Sequence, residues 1–343
     1  MFKIEGVKLA DSGYYINLEE SEDRRIKVNE QIEKFNIEGL SRYEAVINEF
    51  LPAGPTISHL KLMEELLEIE DQETFFIAED DFNINEVVGI VGTDFKLPLK
   101  EYLKSLSESL ENNEWDVVQL GCNPSVPFIF EDKNLGYMFK STGAWAYLIN
   151  KRACRYILDN FSYMRDRLAI DNIIPILNMR GFKSFMTSVN VIDHAVGMPS
   201  TVQRHIKACN YKSWIEGNYH KNITTFVENC GIDLTREDSN LLDILSECSE
   251  IHKDIRKNVN VFDLKESDES YNLLSDEIIN FVREDVKRVF SITLLKNVPG
   301  WHTSDGIKSL YYWLRAESDL NILIDNEENK LPEFADEQTL IEL

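Results

Sequence analysis

Along the first two hundred residues the apolar positions fall into two alternating rhythms. Short runs in GYYINLEE, RYEAVI, TFFIA, WDVVQLG and GAWAYLIN are each long enough for one strand and stop at polar or turn residues. Between them lie segments with helical spacing. SEDRRIKVNEQIEKF carries Ile26, Val28, Ile32 and Phe35, and HLKLMEELLEI carries Leu60, Met63, Leu66 and Leu67 as one stripe. YLKSLSESLEN and KRACRYILDNF repeat the pattern. Ser58, just before the second of these segments, is the expected N-cap of its helix. Strands that alternate with helices predict an α/β domain with a mostly parallel sheet.

Beyond about residue 205 the rhythm changes. TTFVENC, SNLLDILSECSEIHKDIRK, SDEIINFVREDVKRVF and GIKSLYYWLRAES all read as helices separated by polar loops. The expected organisation is therefore an α/β domain over residues 1–205 and a mainly α-helical region over 206–343. That second region is a candidate surface for homodimer formation, acceptor binding or docking.

Composition narrows the class. With 43% hydrophobic and 10% aromatic residues in 343, the chain can bury a core. A formal net charge of -24 argues against a surface that grips nucleic acid or anionic lipid. The five cysteines are widely spaced and form no C-x-x-C pair, so reduced thiols in a cytoplasmic protein are expected. MFKIEGVKLADSG lacks the apolar core of a signal peptide, and no apolar run reaches the roughly 18 residues of a membrane span.

The chemistry concentrates in FFIAEDDF. Here a buried-looking strand runs straight into Glu79, Asp80 and Asp81. Three adjacent anions repel, so holding them together requires a cation or another positive partner. In open α/β sheets, ligands bind beyond the carboxyl ends of the strands. Carboxylates placed there suit Mg²⁺ or Mn²⁺, which take one or two protein carboxylates plus substrate phosphates. The alternative is a solvated turn with no ligand.

The blocks around this stretch resemble glycosyltransferase family 25, the lipopolysaccharide-biosynthesis and collagen-type galactosyltransferases. They are Tyr15-Ile16-Asn17-Leu18, Asp23-Arg24-Arg25, Arg42-Tyr43-Glu44-Ala45-Val46, Ser58-His59-Leu60 and Phe76-Ile77-Ala78-Glu79-Asp80-Asp81, followed by residues 115–121, Gly143-Ala144-Trp145 and Ile170-Asp171. They occur in the family's order over about 200 residues. Two places depart from its pattern: Ala53-Gly54-Pro55 stands before the Ser-His pair, and Asn172 follows Asp171. Residues beyond 210 match nothing in it.

The resemblance implies a GT-A-like nucleotide-sugar-binding domain that moves a hexose, galactose or glucose, from a UDP-sugar to a saccharide or hydroxylated acceptor with inversion. Asp81 is then the expected ligand of Mn²⁺ or Mg²⁺, with Glu79 or Asp80 on the ribose or a metal-bound water. Asn17, Arg24 and Arg25 follow the first strand, where base and phosphates are expected, and Arg25 is preferred to Arg24 as the phosphate ligand. Ser58 and His59 are candidates for positioning donor or acceptor, the alternative for His59 being a first-turn surface residue. Asp171 is the expected general base, or otherwise a helix N-cap. His194 is a candidate second metal ligand, and Gly143 and Trp145 are expected to line the sugar pocket. A catalytically silent carbohydrate-binding or scaffolding relative is the rival reading. A phosphohydrolase or nucleotidyltransferase finds no support, since the chain has neither a P-loop nor D-x-D-x-T.

Overall fold

The chain begins with a hairpin that the apolar pattern did not announce. Strands β1 (Phe2–Ile4) and β2 (Val7–Ala10) pair antiparallel across Glu5-Gly6, both at positive φ. Two such residues give the mirror-image turn whose twist matches a hairpin. The sequence signal was the alternation FKI–EG–VKL, too short to stand out. Phe2 stacks on Phe76 at 4.2 Å, so the hairpin covers one part of the sheet.

The computed structural model describes residues 1–47, 53–90, 92–124, 128–138, 141–162, 170–177, 182–195, 227, 230–236 and 238–253. The expected helices after residue 253 therefore lie outside the described residues. Next come β3 (Ser12–Asn17), α1 (Glu22–Lys34), β4 (Leu40–Glu44), α2 (Ala53–Leu67) and β5 (Thr74–Glu79). The strands β6 (Phe82–Ile84), β7 (Val87–Gly89) and β8 (Lys96–Pro98) lead into α3 (Leu99–Asn112). Then follow β9 (Val117–Pro124), β10 (Phe128–Phe130), β11 (Leu135–Met138), β12 (Ser141–Asn150), α4 (Lys151–Phe161), α5 (Ile170–Ile176), β13 (Ser184–Thr187), β14 (Ile192–His194) and α6 (Leu241–Ile251).

An eight-stranded sheet in the order β10-β11-β13-β9-β12-β5-β3-β4 forms the centre. The α/β class holds, and the sheet is mixed. Three ladders are parallel (β3 with β4, β3 with β5, β13 with β9), and the other four are antiparallel. β12 is the strand that reverses the centre. It is buried from Ala144 to Ile149 and runs antiparallel to both β5 and β9. Apolar pattern alone does not fix the direction of a strand buried on both faces.

Two helices differ from their expected form. α2 starts at Ala53, so Ser58 lies inside it and is not its N-cap. Pro55 is tolerated because it sits in the first turn, where backbone N–H groups have no helical partner. In α1 the buried residues are Arg24 and Val28, while Ile26 is exposed. Spacing by seven from Val28 then places Phe35 in the core, and a charged residue shares that face. Among the described residues no helix is long and apolar enough to cross a membrane. Of the expected C-terminal helices, α6 is described; it lies beside β10 and buries Leu241, Ile244 and Leu245.

Candidate functional site

β3 and β5 are parallel neighbours, with Ile16 opposite Glu79, so Asn17 and the acidic stretch emerge side by side from their carboxyl ends. β12 runs the other way against β5 and brings Gly143 and Trp145 to the same end. β14 completes the arrangement by pairing with β6, which sets His194 opposite Phe82 and hence next to Asp81. This crossing needs Gly121 in β9, because a Cβ there would lie 1.5 Å from the Ile192 carbonyl oxygen.

Asp80 and Asp81 are buried, which excludes a solvated turn at this stretch. They are compensated from two sides. Arg24 Nη1 reaches Asp80 Oδ1 at 2.5 Å and Asp81 Oδ2 at 3.2 Å. His194 Nε2 lies 3.1 Å from the same Asp81 Oδ2. Burial pushes the Asp81 carboxyl up, but its hydrogen bond to His194 and the two nearby cations outweigh this and hold it below the usual range. Burial likewise opposes charge on His194, yet Asp81 raises it overall. Asp80, bonded to Asn17 Nδ2 at 2.7 Å as well as to Arg24, is still raised, burial being the larger effect.

One atom stands out. Asp81 Oδ1 is buried and has no hydrogen-bond partner among the described residues. A buried ionised oxygen without a donor is costly, of order 1–3 kcal/mol or more. A divalent cation would satisfy it, and carboxylate plus imidazole is a fitting donor pair for Mn²⁺. Among the described residues no group of three or more His, Cys, Asp or Glu is arranged to hold a metal ion. Asp81 and His194, the imidazole after giving up the proton it shares with Asp81, would thus be a two-residue anchor, with other positions left to phosphate and water.

Glu79 turns another way. About 32% of its side chain reaches solvent, and its carboxyl is raised to about 8 by burial and by the charges of Asp81 and Asp171. Glu79 Oε1 lies 3.7 Å from His59 Nε2. His59 is fully buried inside α2, not on the surface, and burial drives its pKa down to about 3. Its Nδ1 lies 2.7 Å from the Tyr147 hydroxyl, which burial keeps protonated. With that hydroxyl donating to Nδ1, the ring proton resides on Nε2 and faces Glu79.

Asp171 lies within the first turn of α5 and not at its N-cap. Its Oδ2 accepts the Gly143 amide at 2.9 Å, and Gln119 Nε2 donates to the Gly143 carbonyl at 3.2 Å. Gly143 has φ +87, and a Cβ there would strike the Trp145 indole at 2.6 Å. The glycine therefore lets the ring lie over the chain, where it meets His194 edge-on at 6.1 Å between centroids.

Ser58 and Arg25 stay apart from this centre. The Ser58 hydroxyl donates to the Gly54 carbonyl and accepts the Val46 amide, both at 2.8 Å, which pins the chain after β4 to α2. Arg25 donates to the Glu19 carbonyl at 3.2 Å, and Arg24 is the arginine that faces the acids. Sequence reading missed Arg42 at the site: it donates to Asn17 Oδ1 at 3.0 Å and pairs with Glu19 at 2.9 Å. Its position in the strand beside β3 was the available signal. Tyr147 and Gln119 were missed because both lie within apolar strand runs. Compared with known proteins, the chain matches no family model and finds no curated relative.

Proposed function

We propose that the protein is a metal-dependent inverting glycosyltransferase that moves a hexose from a UDP-sugar to a hydroxyl of a saccharide or glycoconjugate. The observation that carries this reading is the buried, donorless Asp81 Oδ1 beside His194 at the carboxyl end of β5. The resemblance to glycosyltransferase family 25 supplies the donor class, and its acidic block contains Asp81.

Asp81 and His194 would hold the metal, whose charge stabilises the UDP leaving group as the glycosidic bond breaks. Arg42, held by Asn17 and Glu19 beside the end of β3, is the polar group there suited to ribose or base, Asn17 itself being buried and fully bonded. Arg24 holds Asp80 and Asp81 at fixed separation. Asp171 faces the acceptor side, where its carboxylate takes the proton from the attacking hydroxyl. The Gly143 amide anchors one oxygen of that carboxylate, while Trp145, expected to line the sugar pocket, is buried and packs edge-on against His194.

One observation favours a second reading. Arg24 and His194 already balance the charge of Asp80 and Asp81, as they would in a catalytically silent carbohydrate-binding relative. Titration calorimetry with Mn²⁺ and UDP-galactose or UDP-glucose decides between the two. Transferase function requires Mn²⁺-dependent donor binding that Asp81→Asn abolishes, together with UDP release in the parent. Metal-independent binding without UDP release identifies the silent relative, and unchanged Mn²⁺-dependent affinity in Asp81→Asn removes Asp81 from the metal.

A further inference from the structure

Away from the carboxylates, a second cluster joins Cys230, Cys248 and His252. Cys248 and His252 are four residues apart, at the carboxyl end of α6, where the His252 amide bonds the Cys248 carbonyl at 3.1 Å. That spacing puts both side chains on one helix face. The fully buried His252 ring is fixed by its neighbours: Nδ1 accepts the Phe130 amide at 3.2 Å, and the ring lies 5.5 Å from the Phe130 ring. Because Nδ1 accepts, the proton of the neutral ring is on Nε2. Nε2 lies 3.6 Å from Cys230 Sγ and donates to it. Cys248 is fully buried and adds its thiol as a second donor to the same sulfur, while Cys230 remains partly accessible.

We propose that Cys230 and Cys248 form a peroxide-responsive dithiol, with accessible Cys230 the sulfur that is oxidised and buried Cys248 the sulfur that resolves it. Two donors converge on one sulfur, which favours its anion. The bond from Cys248 and then the contact with His252 bring Cys230 down to about 6, against burial and, to a lesser degree, the charge of Glu247. Cys248, the donor in that bond, is raised and keeps its proton. Both shifts agree with the geometry. A thiolate that is solvent-accessible and next to a second thiol is the arrangement found in redox-sensing cysteines.

The chemistry balances with a hydroperoxide as oxidant. The Cys230 thiolate attacks the distal peroxide oxygen, forming S–O as O–O breaks, and the leaving oxygen departs as water or alcohol after taking a proton. Sulfur is oxidised to the sulfenic acid and the peroxide is reduced. Cys248 sulfur then attacks Cys230 sulfur. The S–S bond forms, S–O breaks, and the hydroxyl leaves as water with the Cys248 proton.

The test uses the full chain. Iodoacetamide labelling is followed by peptide mass mapping between pH 5 and 9, with glutathione as the reference thiol. The titratable and charged groups that face Cys230 are Cys248, His252 and Glu247. The Cys230 rate is expected to be half-maximal near pH 6 and to exceed that of glutathione about tenfold there, since a lower thiol pKa also reduces intrinsic nucleophilicity. Hydrogen peroxide should yield a Cys230–Cys248 peptide under non-reducing conditions. In Cys248→Ser, dimedone should instead trap Cys230 as the sulfenic acid. A Cys230 profile that superposes on that of glutathione, or peroxide linkages that omit the Cys230–Cys248 pair in the parent chain, overturns the proposal. Because the parent chain alone can give either result, a variant that fails to fold leaves the decision intact.

Discussion

His59 ties the stability of the domain to pH in a way that can be isolated. The ring is fully buried and neutral, with its pKa near 3 in the folded chain and about 6.5 when unfolded. As pH falls below about 6.5 the unfolded chain takes up a proton that the folded chain refuses. Stability is therefore complete above that pH and declines toward pH 3. The slope is about 1.36 kcal/mol per pH unit, so moving from pH 7 to pH 5 removes about 2 kcal/mol through this residue. Carboxylates also titrate in this window, so the parent alone does not isolate the effect. His59→Asn does, because its side-chain oxygen can accept the Tyr147 hydroxyl in place of Nδ1 yet carries no titrating group. Urea unfolding of both chains at pH 7 and pH 5 gives a double difference of about 2 kcal/mol, a midpoint shift on the order of 1 M. Equal losses in both chains would refute the assignment of a buried neutral imidazole.

Two further substitutions probe opposite sides of the site. Asp171→Asn keeps an oxygen for the Gly143 amide and removes the proton acceptor, so transfer should fall about 10²–10⁴-fold while Mn²⁺ and UDP-sugar still bind. Rates measured against calorimetric affinities check this, and a parental transfer rate places the base elsewhere. Gly121→Ala inserts a methyl where the Ile192 carbonyl passes, so β14 must move and carry His194 with it. Overpacking of this kind costs about 1–3 kcal/mol. Thermal melting should register that loss, and Mn²⁺ affinity should fall as well; unchanged values in both measurements would show that the crossing tolerates a side chain.

The sequence disclosed the elements better than their directions or their minor partners. β5 and β12 were legible because each is an unbroken apolar run, but the same uniformity hid that they run antiparallel. The short strands β6 and β14 escaped notice, although their pairing is what delivers His194 to Asp81. Three-residue strands carry too little pattern to read. Ser58 looked like a cap because an apolar stripe begins after it, and the helix in fact starts earlier, with Pro55 in its first turn. Arg24 was underrated for a related reason. Ile26, which reads as part of the apolar stripe, is exposed, and the buried face of the helix is that of Arg24 and Val28. The occurrence of Arg24, Val28 and Phe35 at heptad-like spacing was the missed sign that a charge shares the apolar face.

The question raised by three adjacent anions has a partial answer in the folded chain, and the part left over is informative. Asp80 is fully engaged by Asn17 and Arg24, as a structural carboxylate should be. Asp81 is different: Arg24 and His194 both address Oδ2, while Oδ1 lies buried with no donor among the described residues. If charge balance were the whole purpose, an asparagine or an apolar residue at this position would avoid an unmet ionised oxygen and the desolvation that comes with it. Local rules of this kind are broken chiefly where function demands it. The aspartate sits at the carboxyl end of a buried strand, with imidazole on one side and the Glu79 carboxyl within electrostatic reach. Such a site gains most from a divalent cation that itself brings phosphate. That is why the metal-dependent transferase reading outweighs the silent one, and why Asp81, not the more fully paired Asp80, is the residue on which it rests.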